Sequence, residues 1–214
     1  MAAGDLGATD IFSPGSTWNV QNSSVSTSNS ITEVLGSTGD IACLTPFQET
    51  ATASAEYEGC GTPGLSAYEL GSVVGGYTVT SIEASQSAGE APRLSIEGMG
   101  FDGGEDVSNN RTYSITQDFD ISSVTGENVI DTGGEPTEIS YRWEMQLTQT
   151  IGSDGQVSYV VSRTPKATYT ESGIGTLGSA PSLSGWTLES WEDSDSNQET
   201  DTYTCTFSTE LTSS

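Results

Sequence analysis

Glu138-Ile-Ser-Tyr-Arg-Trp-Glu-Met-Gln-Leu-Thr-Gln-Thr-Ile151 sets Ile139, Tyr141, Trp143, Met145 and Leu147 at every second position, with Ser140, Arg142, Glu144, Gln146 and Thr148 between them. Successive side chains of a strand point to opposite faces, so this alternation predicts a strand with one apolar and one wet face. Gly152-Ser-Asp-Gly155 follows, residues that accept the positive φ angles of a tight turn, and then the apolar run that holds Val157, Tyr159 and Val161. Residues 138 to 161 therefore read as one long hairpin. Its faces differ sharply in polarity, which makes Ile139, Tyr141, Trp143, Met145, Leu147, Val157, Tyr159 and Val161 candidate self-assembly residues.

The same period of two recurs on both sides of this stretch. Arg111 to Val124 alternates Tyr113, Ile115, Phe119 and Ile121 with polar residues, and Thr202 to Leu211 sets Tyr203, Cys205, Phe207 and Leu211 on one face. Ala51 to Tyr57, Tyr77 to Ser85 and Arg93 to Met99 are further strands, the last two joined by the turn-rich residues 86 to 92. Helix is confined to a turn or two at Ile31 to Leu35 and Leu65 to Leu70. Gly, Ser and Asp clusters at 102–106, 131–136 and 190–197 are loops. The first forty residues carry widely spaced apolar residues in a Ser, Thr and Asn background. They read as an extended N-terminal arm, with Phe12 and Trp18 as anchors able to dock on a neighbour, ahead of a main β-domain at 41–214.

Composition restricts function. The 30 Asp and Glu against 5 Lys and Arg give a net charge of −25, which repels nucleic-acid phosphates. With no His, the Ser-His-Asp, Cys-His and His-zinc solutions are all absent. No G-x-S-x-G elbow or phosphate-cradling Gly loop occurs, and carboxylates this numerous make close pairs inevitable, so none marks a catalytic pair. The expectation is no enzyme, no catalytic residue, no cofactor and no metal. Asp193-Ser-Asp195-Ser-Asn197 opens like a calcium loop, then has Gln198 where Gly is needed and Thr204 where the bidentate Glu should sit.

The N-terminus lacks a cationic and an apolar region, so no secretory signal is expected, and no apolar run approaches the roughly 20 residues that span a bilayer. The odd, widely spaced Cys43, Cys60 and Cys205 fit buried free thiols of a protein made in reducing cytoplasm, a Cys43–Cys60 bridge being the alternative. Leu, Ile, Val and Phe supply only about 18% of the chain, little for a lone core, and burial of strands against other subunits would relieve that shortage.

Val79-Thr-Ser-Ile-Glu-Ala-Ser85, Ala91-Pro-Arg-Leu-Ser-Ile-Glu-Gly98, Arg111-Thr-Tyr-Ser-Ile115 and the ending Gly185-Trp-Thr-Leu-Glu-Ser-Trp191 with its Thr-rich last strand resemble tail tube proteins of long-tailed bacteriophages. The resemblance covers roughly half of the chain. It implies an antiparallel β-sandwich with a short flanking helix and with long hairpins forming an oligomeric inner barrel. It also implies stacked hexameric rings in a virion tail, other tail proteins as partners, and double-stranded DNA passing without specific binding. The chain departs from that family in its paucity of apolar and basic residues. Competing expectations are a capsid decoration protein or fibre-like adhesin, and a carbohydrate-binding module using Trp18, Trp143, Trp186 and Trp191 as stacking platforms.

Overall fold

A row of paired residues runs from one edge of the molecule to the other: Val20, Tyr57, Leu94, Ala84, Tyr141, Tyr169, Phe207 and Leu188, each opposite the next on a neighbouring strand. Directly opposed residues share a face, so one row of apolar residues places the apolar side of every strand it crosses on the same side of the sheet. The computed structural model describes residues 10–35, 41–59, 69–101, 113–114, 135–151, 157–161, 164–194 and 200–211, with backbone pairing alone for 28–35, 41–50, 147–151 and 157–161.

The fold is all-β and antiparallel. The strands in the row are β1 (Trp18–Leu35), β2 (Ile41–Gly59), β5 (Tyr77–Ser87), β6 (Arg93–Phe101), β8 (Glu135–Glu144), β11 (Lys166–Ile174), β12 (Thr187–Ser194) and β13 (Thr202–Glu210). They lie in the order β1-β2-β6-β5-β8-β11-β13-β12, and β4 (Val73–Val74) on β5 completes nine strands. Two small pairs stand apart, β3 (Glu69–Leu70) with β7 (Tyr113–Ser114) and β9 (Leu147–Ile151) with β10 (Val157–Val161). Among the described residues there is no helix. One face of this sheet is buried within the chain itself, with Ile82, Tyr169 and Phe207 fully covered, which suits the expected sandwich-like fold.

Alternation does the sorting. Ala53, Ala55, Tyr57, Ile82, Ala84, Leu94, Ile96, Ile139, Tyr141, Trp143, Tyr169, Tyr203, Cys205 and Phe207 all belong to one buried cluster. The opposite face carries Ser, Thr and Glu, with hydroxyls meeting across strands at Ser24–Ser54 (2.8 Å), Ser172–Thr204 (3.0 Å) and Thr170–Thr206 (3.4 Å). Ile31–Leu35, expected as helix, is strand: it pairs with Ile41–Pro46, and Ile31, Thr32 and Val34 are β-branched residues that suit a pleated surface. At Leu65–Leu70 only Glu69–Leu70 are described, and they are strand; of Arg111–Val124, only Tyr113–Ser114 are described, again as strand.

The expected hairpin at 138–161 divides in two. β8 pairs with β5 and β11 and stops at Glu144; Met145 N–H turns to the Thr80 carbonyl at 2.9 Å, and β9 pairs with β10 in a separate hairpin whose turn lies outside the described residues. The even spacing of Met145 and Leu147 hid this break, because alternation continues in phase across it. The longest hairpin is instead β1–β2, paired from Trp18↔Gly59 to Leu35↔Ile41. β2 pairs with β6 only from Thr50 to Glu58, so among the described residues the outer part of β1–β2 is a two-stranded ribbon. At about 3.3 Å per residue it extends roughly 20 Å beyond the sheet.

Residues 10–18 cover the apolar face near β2 and β6. Phe12 is 2% exposed and its ring lies over Gly98, where a Cβ would stand 3.0 Å from it and 3.0 Å from Tyr77. Tyr57 Oη donates to Asp10 Oδ1 at 3.0 Å, and the Asp10 carboxylate also accepts the Ser13 N–H at 2.7 Å. The segment is thus fastened to its own chain. Phe12→Ala should cost about 3–5 kcal/mol of unfolding free energy in urea, and Gly98→Val should expose residues 10–18 to protease, because either change unseats the Phe12 ring.

Candidate functional site

The residues singled out by alternation go to two places. Ile139, Tyr141, Trp143 and Met145 are 1–7% exposed inside the chain's own core, where Tyr141 stacks on Trp143 with centroids 5.6 Å apart and tilts against Tyr169 at 4.6 Å. Phe12 and Trp18 are buried there too. These six side chains hold the subunit together and do not reach its surface. Leu147 lies on β9, and Val157, Tyr159 and Val161 lie on β10, with Tyr159 opposite Gln149 and Val161 opposite Leu147. Trp143→Ala is therefore a core deletion, expected to cost about 3–5 kcal/mol of stability.

A polar group that alternation alone does not explain sits in the same core. Glu171 occupies an inward position of β11 and is fully buried, between Ile139 and Cys205 on the adjacent strands. Tyr203 Oη donates to Glu171 Oε1 at 2.7 Å and Tyr169 Oη donates to Oε2. Gly173 makes room for this: a Cβ there would come within 2.6 Å of the Tyr203 ring. Sealed from solvent, this carboxylate links β11 to β13 through Tyr203. Glu171→Leu would strand the buried Tyr169 hydroxyl, at about 1–3 kcal/mol, and remove the hydrogen bond from Tyr203 as well. Glu171→Gln, which keeps an acceptor, should cost clearly less in the same denaturation measurement.

The cluster has a pH signature. Burial, and then the Glu171 charge, push the Cys205 thiol up to about 12 and hold the Tyr141 and Tyr169 phenols well above their ordinary range. Burial and the Asp10 hydrogen bond do the same for Tyr57. Unfolded, these groups lose protons from about pH 8.5 for the thiol and about pH 10 for the phenols. Above that range the unfolded state binds fewer protons, so the stability present at neutral pH is lost as pH rises. Melting temperature should stay flat from pH 7 to 8 and fall beyond about pH 9, and Cys205 should resist iodoacetamide at pH 8 until the chain unfolds.

Residues 190–194, expected in a loop at 190–197, are strand, and Asp193 on that strand has a similar structural use. Both Asp193 oxygens accept backbone N–H groups, from Leu177 at 3.0 Å and Gly178 at 3.2 Å, which ties the 175–178 turn to β12. Asp195 and Asn197 lie outside the described residues, as does the 102–106 cluster, and among the described residues no acidic or Cys group could hold a metal ion. On the polar face a groove of about 370 Å³ runs between Glu56, Glu58, Glu83 and Arg93.

The features that sequence reading missed are the two ends of the sheet. β1 and β12 are its terminal strands, and among the described residues no strand lies beyond either. The apolar face runs out to both. At one end Val25, opposite buried Ala53, is 42% exposed beside a shallow cavity of about 330 Å³ lined by Ile11, Gly75 and Tyr77. At the other end Trp191, opposite buried Cys205, is 40% exposed. Isolated Val25 and Trp191 in a polar context carry no periodic signal of their own; they stand out only once their strands are known to be edges. No known protein family matches the chain, and no curated protein matches it in sequence.

Proposed function

We propose that the chain is a self-assembling structural subunit, and specifically a tail tube protein that stacks as rings around a DNA channel in the virion of a long-tailed bacteriophage. The observation that carries self-assembly is the open sheet, whose terminal strands β1 and β12 both leave apolar residues of the inner face exposed. Unpaired edges are templates for another strand, and joining them between copies removes them. The β1–β2 ribbon adds a long hairpin of the kind that the resemblance to tail tubes implies, at residues other than those expected. The charge of −25 suits a channel wall that must let a duplex slide without holding it.

The competing readings draw less support. A decoration protein or adhesin would keep its edges within one subunit. A carbohydrate-binding module needs several exposed aromatic platforms, whereas Trp18 and Trp143 are buried and Trp186 is half-buried, which leaves Trp191 as the single exposed one of the four. Electron microscopy of the purified protein should show rings or tubes; monomers or trimers at every concentration would count against the tube.

Salt gives a second test. Subunits carrying −25 repel over about 30 Å at 0.01 M ionic strength but over only about 3 Å at 1 M, while apolar burial is short-ranged and little weakened. Light scattering should therefore rise with sodium chloride. A response to millimolar magnesium or calcium at equal ionic strength would point to bridged acidic loops, and assembly that weakens as salt rises would mean that opposite charges hold the interface.

A further inference from the structure

The two sheet edges are not equivalent, and their differences select how copies meet. β12 carries Glu189, Glu192 and Asp193 within eight residues, whereas β1 has no charged residue from Trp18 to Thr32. Two β12 strands side by side would set carboxylates against carboxylates, and like charges directly opposed on neighbouring strands are destabilising. A β12 strand beside residues 18–32 of β1 meets only neutral side chains of that strand, and the Asp10 carboxylate at the nearby cavity already accepts hydrogen bonds from Tyr57 and Ser13. Resting on the self-assembly reading above, we propose that β12 of one copy adds to β1 of the next, with Trp191 seated against Val25 and the cavity between Ile11 and Tyr77.

Face continuity supports the same pairing. Trp191 ends the row that contains Cys205, Glu171 and Ile139, and Val25 ends the row that contains Ala53 and Gly98; both rows belong to the inner, apolar face. A sheet continued from β12 into β1 keeps that face on one side across the junction. It covers Trp191 and Val25 together and places a large ring where the cavity of about 330 Å³ opens. Trp is enriched at interface centres because its burial removes a large apolar area while its two side-chain torsions cost little to fix. The contact is head-to-tail: each copy offers one β12 and one β1, so it propagates into a ring or filament and does not stop at a dimer.

The test uses Trp191→Ala and Val25→Glu, both at exposed positions, with melting temperature as the folding check; Val25→Ser serves if Val25→Glu lowers it. Each variant alone should need about tenfold more protein for half-assembly, followed by light scattering and analytical ultracentrifugation. Mixed 1:1, the two should form dimers and nothing larger, because the Val25→Glu protein keeps an intact β12 and the Trp191→Ala protein an intact β1. Several results overturn the pairing while leaving self-assembly standing: variants that assemble like the parent, a defect in Val25→Glu alone (a symmetric β1–β1 contact), or two defective variants whose mixture stays monomeric. A parent protein that remains monomeric at all salt concentrations overturns the pairing and the self-assembly reading together.

Discussion

Backbone hydrogen bonding across an open sheet is the constraint on which the rest of this protein depends. Each strand from β2 to β13 in the spatial order has neighbours on both sides, and those ladders fix the register that puts Tyr57, Leu94, Ala84, Tyr141, Tyr169 and Phe207 into one row. Among the described residues, β1 and β12 have a neighbour on one side only. The same ladder that organises the core therefore leaves donors and acceptors at both ends, a condition that water can satisfy but that another strand satisfies with added apolar burial.

The limited supply of aliphatic residues shapes how the core is filled. Aromatic side chains do much of the work, Tyr141 lying within ring contact of Trp143, Tyr169 and Trp186, and Tyr169 of Phe207. Tyr57, Tyr169 and Tyr203 bring hydroxyls inward with their rings, and a buried hydroxyl needs a partner. Glu171 supplies one for Tyr169 and Tyr203, and Asp10 supplies one for Tyr57. A core built on tyrosine thus recruits carboxylates as acceptors. Gly98 and Gly173, small residues where rings must approach a strand, are the complement of the same choice.

Charge acts at longer range. With 30 acidic residues, most carboxylates must face water, and the alternating polar face of the strands accommodates many of them. That face resists casual association at low ionic strength. In the assembly proposed above, the uncharged stretch of β1 is the exception on which a partner strand settles, so the proposed contact follows from an uneven distribution of charge.

Strand identity was legible in the sequence because it is a local property: Arg93–Met99, Glu138–Glu144 and Thr202–Glu210 alternate within themselves and their inward residues follow from parity, whereas in Tyr77–Ser85 an irregularity between Val79 and Ser81 shifts the inward set to Ile82 and Ala84. The all-β class followed. Neighbour identity was not legible, since pairing joins residues far apart in the chain, and so the hairpin at 138–161 was drawn too long while the β1–β2 hairpin lay hidden in polar sequence. Trp143 and Trp191 make the difference concrete. Both are tryptophans on strands and both face the inner side, yet Trp143 is 1% exposed and Trp191 is 40% exposed. β8 is flanked by β5 and β11, whereas among the described residues β12 has β13 alone. Alternation in the sequence determined which way Trp143 points, because its strand repeats strictly with a period of two; only the tertiary order of strands put Trp191, expected in a loop, on a strand and left it uncovered at an edge.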